Sequence, residues 1–341
     1  MRLRNILILF VLLLFLVGCK AKGPATSETI KGIHSGKDGL NMEFFENTPR
    51  KEVFERSVFP VAVRLYNEGA YDVVNGFLTI SLEKDYIELI KDSVKSTLYE
   101  RPRLIDDSHI SLNLRGKSIE YPNGDQELIS FNVKTKELSK DSQSEYHDSL
   151  VAITSCYGYE TNLVDTVCID TDVFGFKQRE KVCDSTKTIT LRSQGAPVAV
   201  TKLESEMIPD EKNPNRIKPR FTITVKNLGK GEVVWKDKVR AACYSESIDY
   251  KEWNRIDVRA YLSTKEESNK LDCDIIKEGL KDDGILNLRK REDIIRCTYE
   301  NGYDENEGTF TAPLYITLSY GYTDTISGSV KIKKTKTNLY T

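Results

Sequence analysis

Phe59 to Leu82 reads FPVAVRLYNEGAYDVVNGFLTISL, and Pro219 to Cys243 reads PRFTITVKNLGKGEVVWKDKVRAAC. In the first stretch Phe59, Val61, Val63 and Leu65 alternate with Pro60, Ala62, Arg64 and Tyr66. A period of two marks a half-buried β-strand, because successive side chains leave a strand on opposite faces. Pro60 has no N–H for a ladder, so the strand starts near it or lies at a sheet edge. Asn67-Glu68-Gly69 ends the run with residues that accept positive φ, which predicts a tight reversal. Val74, Leu78, Ile80 and Leu82 then alternate as a partner strand.

The second stretch repeats the first in register. Asn67 and Gly69 return as Asn227 and Gly229, Val73-Val74 as Val233-Val234, and Val63 and Leu65 as Ile223 and Val225, all at one offset. An internal repeat of this kind sets the architecture. The chain of 341 residues is long enough for two domains. The expectation is an all-β protein of two tandem β-sandwiches with short helical or loop insertions, after an N-terminal signal helix. The boundaries read as a signal peptide at 1–18, a tether at 19–40, sandwiches at 41–194 and 195–335, and a polar tail at 336–341.

The strand, the Asn-x-Gly turn and the Val-rich strand resemble the CARDB-type immunoglobulin-like modules of prokaryotic surface proteins. The resemblance covers about twenty-five residues in each half. It implies immunoglobulin-like sandwiches in tandem and a role in adhesion or surface scaffolding rather than catalysis. Each half exceeds a minimal module of ~100 residues, which implies insertions. These are expected around Asp85–Ser108, Thr161–Cys183 and Lys265–Arg296.

The leader says where the protein works. Arg2 and Arg4 precede an unbroken apolar run from Ile6 to Val17, shorter than the ~20 residues of a comfortable bilayer span. Such a run followed by small residues is an export signal. Leu16-Val17-Gly18-Cys19 resembles the lipobox of prokaryotic lipoproteins, which implies cleavage before Cys19 and acylation of its thiol. The alternatives are an ordinary signal peptide and a retained membrane helix. Lys20 to Leu40 is polar, rich in Gly, Ser and Thr, and reads as a flexible tether.

Cys19 apart, the cysteines are Cys156, Cys168, Cys183, Cys243, Cys273 and Cys297. An even set in an exported chain reads as disulfides. No C-x-x-C pair suggests a zinc ribbon or a redox centre. The local closures Cys168–Cys183 and Cys273–Cys297 are favoured, which leaves Cys156–Cys243 to staple the halves.

Chemistry is sparse. Lys plus Arg is 50 against 52 for Asp plus Glu, which gives no reason to expect a nucleic-acid partner. His34, His109 and His147 are the only histidines, and no G-x-S-x-G occurs, so no catalytic residues, metal or cofactor are expected. Asp165, Asp170 and Asp172, and Asp304 to Glu307, read as solvated turn residues, with calcium as the alternative. Tyr157, Tyr159, Tyr315, Tyr320 and Tyr322, with Trp235 and Trp253, offer either cross-strand packing or a sugar-stacking face. The expected protein is exported and membrane-anchored, facing the extracellular or periplasmic side. It contacts the membrane through a lipid or helix and engages another surface protein or an envelope polymer. The alternative is an anchored glycan- or peptide-binding protein.

Overall fold

The computed structural model describes residues 32–98, 104–138, 144–175, 180–275 and 284–335. The first half contains β1 (Leu40–Phe44), β2 (Glu52–Phe54), β3 (Val58–Asn67), β4 (Val73–Leu82), β5 (Ile87–Ser96), β6 (His109–Leu114), β7 (Gln126–Thr135) and β8 (Tyr146–Asp170). The second contains β9 (Ile189–Thr190), β10 (Val198–Pro209), β11 (Arg216–Asn227), β12 (Glu232–Val234), the short helix α1 (Val239–Cys243) and β13 (Arg255–Leu262). It continues with β14 (Asp272–Ile275), β15 (Ile285–Asn287), β16 (Glu292–Thr298), β17 (Tyr303–Asp304) and β18 (Thr309–Lys333).

These strands form three sheets, and the protein is all-β. One runs β1-β3-β7-β5. A second runs β14-β16-β11-β10-β9, with β17 on β11. The third runs β15-β13-β18-β8-β4-β6, with β12 and β2 also on β18. Its spine is the antiparallel pair β8 and β18, 25 residues each, in unbroken register from Asp170↔Thr309 to Tyr146↔Lys333. At the usual rise this pair is roughly 80 Å long.

Alternation explains how one long sheet serves both halves. Val151, Ile153, Tyr157, Tyr159, Leu163 and Val167 of β8 are buried, all at odd positions. Leu314, Ile316, Leu318, Tyr320, Tyr322, Val330 and Ile332 of β18 are buried at even ones. The register puts both sets on one face. Val61, Val63 and Leu65 of β3 and Phe221, Ile223 and Val225 of β11 belong to the same apolar core as that face. The two smaller sheets therefore cover one face of the long sheet, one per half, and the opposite face stays outward.

Two expectations change, and two stretches run on as strand where composition suggests a break. β3 and β4 are not paired: β3 lies in the four-stranded sheet and β4 in the long one, so the Asn-x-Gly turn carries the chain between layers. Thr323-Asp324-Thr325, which has the composition of a turn, is mid-strand, paired to Cys156, Ser155 and Thr154. Its polar residues are tolerated because Thr325 is outward and Asp324 is only half-buried. Likewise, residues 150–159 and 164–169 are both parts of β8. Finally, the tether is ordered in its last part: Ile33 is buried and Gly195 N–H donates to the Gly36 carbonyl.

Candidate functional site

The middle of the β8–β18 pair is a waist where the halves meet. The two repeated turns converge on it. Asn67 Oδ1 accepts from Gly69 N–H and from the Tyr159 hydroxyl, each at 3.3 Å. Asn227 Oδ1 accepts from Gly229 N–H at 3.1 Å and the Tyr322 hydroxyl at 3.3 Å. The Tyr157 hydroxyl accepts from Leu40 N–H at 3.1 Å, and the Tyr320 hydroxyl accepts from Val198 N–H at 3.3 Å. Each half thus uses one tyrosine to cap the start of a strand in its smaller sheet and another to lock its turn.

Gly69 and Gly229 are glycines for closeness rather than for positive φ. Neither is among the positive-φ positions. A Cβ on Gly69 would stand 1.8 Å from the Tyr159 hydroxyl, and one on Gly229 would stand 2.3 Å from that of Tyr322. The reversal expected from φ freedom is therefore replaced by a close approach. Burial pushes the Tyr157, Tyr159 and Tyr320 phenols well up, and that of Tyr322 to about 12. These four side chains are neutral packing elements, which is the cross-strand packing reading and not the sugar-stacking alternative.

The outward face at the waist carries a feature that sequence reading missed. After Val234 the chain leaves the sheet and returns at Trp253, opposite Val234. The neck is closed by Trp235 N–H to the Glu252 carbonyl at 2.7 Å and Asn254 N–H to the Val233 carbonyl at 2.8 Å. The excursion folds as α1, whose Val239 and Cys243 pack with Cys156 and Val234 against Phe77 of the first half. Cys243 stands at disulfide distance from Cys156, with Cα atoms 5.7 Å apart. Thr79 Oγ1 donates to the Cys243 carbonyl at 3.1 Å. His109 is buried there, with Nδ1 2.7 Å from Asp106 Oδ1 and its ring stacked 3.7 Å from that of Tyr244. Burial raises the Asp106 carboxyl, but the Ser108 N–H and His109 outweigh it and hold it below its ordinary value. The legible signal was the loss of alternation after Val234, in KDKVRAAC, between two tryptophans.

Beside this excursion an outward groove of about 520 Å³ crosses the waist. Gly158, Glu160 and Ser319 of the long pair form its floor; Tyr71, Asp72, Lys117, Ser118 and Lys236 stand around it. Ser319 Oγ donates to Glu160 Oε1 at 3.1 Å, and Lys236 is paired with Asp257. Burial, and then the charge of Glu160, raise the Tyr71 phenol. The groove offers acceptors, donors and one aromatic ring from both halves.

The remaining expected residues fall as follows. Cys19 and the leader lie outside the described residues, as does the tail at 336–341. Cys168 and Cys183, and Cys273 and Cys297, stand at disulfide distance with Cα separations of 5.9 and 4.0 Å. The two acidic clusters come together: Thr171 Oγ1 donates to the Glu305 carbonyl at 3.0 Å and accepts from Gly308 N–H at 2.8 Å. Asp170 is occupied by Lys181 at 2.7 Å, and Asp304 by Asn306. Among the described residues no three His, Cys, Asp or Glu side chains converge as a metal site. His147 lies 3.2 Å from Glu83 and stacks on Tyr86, away from the waist. Among the described residues no helix is long and apolar enough to cross a membrane. No family model matches the chain, and no curated protein matches it.

Proposed function

We propose that the protein is a non-catalytic structural and interaction body of the prokaryotic cell surface, anchored through its N-terminus. Its two halves are read as immunoglobulin-like sandwiches of the CARDB type. The observation that carries this is the unbroken β8–β18 pair, which makes one rigid body of about 80 Å from two repeats. A long shared sheet resists bending between halves, which suits a scaffold better than a hinge. Six cysteines in three close pairs fit an oxidising compartment outside the cytoplasm. The leader supplies the address, and Cys19 is the proposed lipid attachment point.

The entry of the chain adds orientation. Leu40 belongs to the core under the two smaller sheets, and Ile33 is buried with its carbonyl beside Gly195. The described chain therefore enters the body near its middle. Cys19→Ser is expected to move the protein from the detergent phase to the aqueous phase in cell fractionation. Unchanged partitioning removes the lipid anchor. A second reading, an anchored glycan- or peptide-binding protein, is favoured by the groove on the outward face of the long sheet.

A further inference from the structure

We infer that the open edge of β8 in the second half pairs with the same edge of a second copy, as an antiparallel twofold dimer centred on Val164. β4 pairs with β8 only as far as Cys156. From Gly158 onward β8 has β18 on one side and no described strand on the other. The ladder tells which backbone groups are open. Ser263 N–H donates to the Pro313 carbonyl, so odd residues of β18 turn to β13 and even ones to β8. Those even residues pair with odd residues of β8. Gly158, Glu160, Asn162, Val164 and Thr166 therefore turn their backbone groups to the open side. Among the described residues only the Thr166 N–H of this row is taken, by Asp165 Oδ1 at 2.8 Å.

Other open edges of the molecule are blunted, as exposed strands usually are. β5 carries Lys91 and Lys95 and shifts register between Ile90 and Lys95. β10 carries Glu204 and Glu206 and ends at Pro209. On β18 in the first half, Asp324 Oδ1 takes the Thr325 N–H. From Gly158 to Val164 there is no Lys, no Pro and no register shift. The one charge there, Glu160, accepts from Ser319 Oγ. The side chains favour a second copy as the occupant. The register lines up Tyr261, Tyr315 and Val164 across the outward face, and Val164 ends that row 58% exposed. A twofold at Val164 continues the row as Val164, Tyr315 and Tyr261 of the second copy. It sets Asn162 against Thr166 and Glu160 against Cys168, so no like charges face each other. Gly158 then meets Asp170, and its missing side chain leaves room for the Asp170–Lys181 pair. Twofold pairing is also the commonest closed form of self-association.

The test uses the full chain in detergent, with light scattering over a micromolar concentration series. The parent is expected to be a dimer. Val164→Lys is expected to weaken it about tenfold or more while its circular dichroism stays that of the parent. Val164→Cys is expected to give a disulfide-linked dimer on cells, since opposed residues of such a pair have Cα atoms about 5.5 Å apart, within disulfide reach. Peptide mapping should find the bond between the two introduced cysteines. Asn162→Cys, which would face Thr166, is not expected to link. A monomeric parent overturns the inference, and so does a dimer that survives Val164→Lys or links through Asn162→Cys instead. A monomer that binds an extended Thr-rich peptide, and loses it in Val164→Lys, would give the edge to a peptide partner and also overturn the second copy. None of these outcomes touches the anchored surface body, which does not depend on the number of copies.

Discussion

In the first half β4 runs unbroken along β8 from Phe77↔Cys156 to Leu82↔Val151. In the second half the equivalent strand is split. β12 pairs with β18 as far as Val234↔Gly321, the chain leaves the sheet, and β13 resumes at Asp257↔Ser319. The long partner strand receives both pieces without losing register, so the ladder tolerates an insertion that a short strand would not. The inserted segment is not wasted on solvent. It crosses the waist and covers the outward face of the other half, where Phe77, Thr79 and His109 meet it. One repeat is thus a plain sandwich, and the other carries a clamp that holds its neighbour.

The largest expected effect comes from removing that clamp. The Cys156→Ser, Cys243→Ser double variant closes no loop across the sequence separation of 87 residues. Its unfolding free energy in chemical denaturation is expected to fall by about 2–4 kcal/mol. Amide exchange should quicken in α1 and stay slow in β4. Equal quickening in both would mean that the first half depends on the clamp for its own folding, and the contrast between the repeats would collapse.

A smaller contrast lies one strand away. Glu127 pairs with Leu65 on β7, and Asp293 pairs with Val225 on β16, which are equivalent positions of the repeat. Asp293 lies near Arg289 at 3.7 Å and accepts the Ile294 N–H. Glu127 is buried, takes the Ser96 hydroxyl on Oε1, and has no hydrogen-bond partner for Oε2 among the described residues. Burial therefore raises the Glu127 carboxyl, with Ser96 opposing. The sign follows: a carboxyl raised in the folded state binds its proton more tightly there than unfolded. Its ionised form costs stability above the folded pKa, and that cost disappears as pH falls to the unfolded value of about 4.3. Glu127→Gln is expected to stabilise the protein at pH 7 by on the order of 1 kcal/mol, with the gain gone near pH 4. A variant no more stable than the parent at pH 7 would mean that Glu127 finds a second partner.

Much of this frame was legible in local pattern. The alternation at Phe59–Leu65, its echo at Phe221–Val225, and the spacing of the six cysteines are short-range signals. What stayed hidden was non-local. Thr323-Asp324-Thr325 has turn composition, and only the ladder to Cys156–Thr154 makes it strand. Tyr157 and Tyr159 alternate with Tyr320 and Tyr322 as an exposed aromatic ladder would. Their burial depends on two smaller sheets stacking over one face, which no window of sequence contains. The groove was hidden for the same reason: its lining comes from segments far apart in the chain, Tyr71, Lys117, Glu160 and Lys236 among them.

The central claim is that β18 is one strand that fuses the halves. Hydrogen exchange read at the Asp324 amide in the native protein tests it most directly. The continuous ladder turns that amide toward β8 and predicts exchange as slow there as at Leu318 and Val330 on either side, whereas the Thr325 N–H is held only by Asp324 Oδ1. Fast exchange at Asp324 between slow flanks would put a turn in place of the strand, and the rigid body and the proposed scaffold role would fall with it.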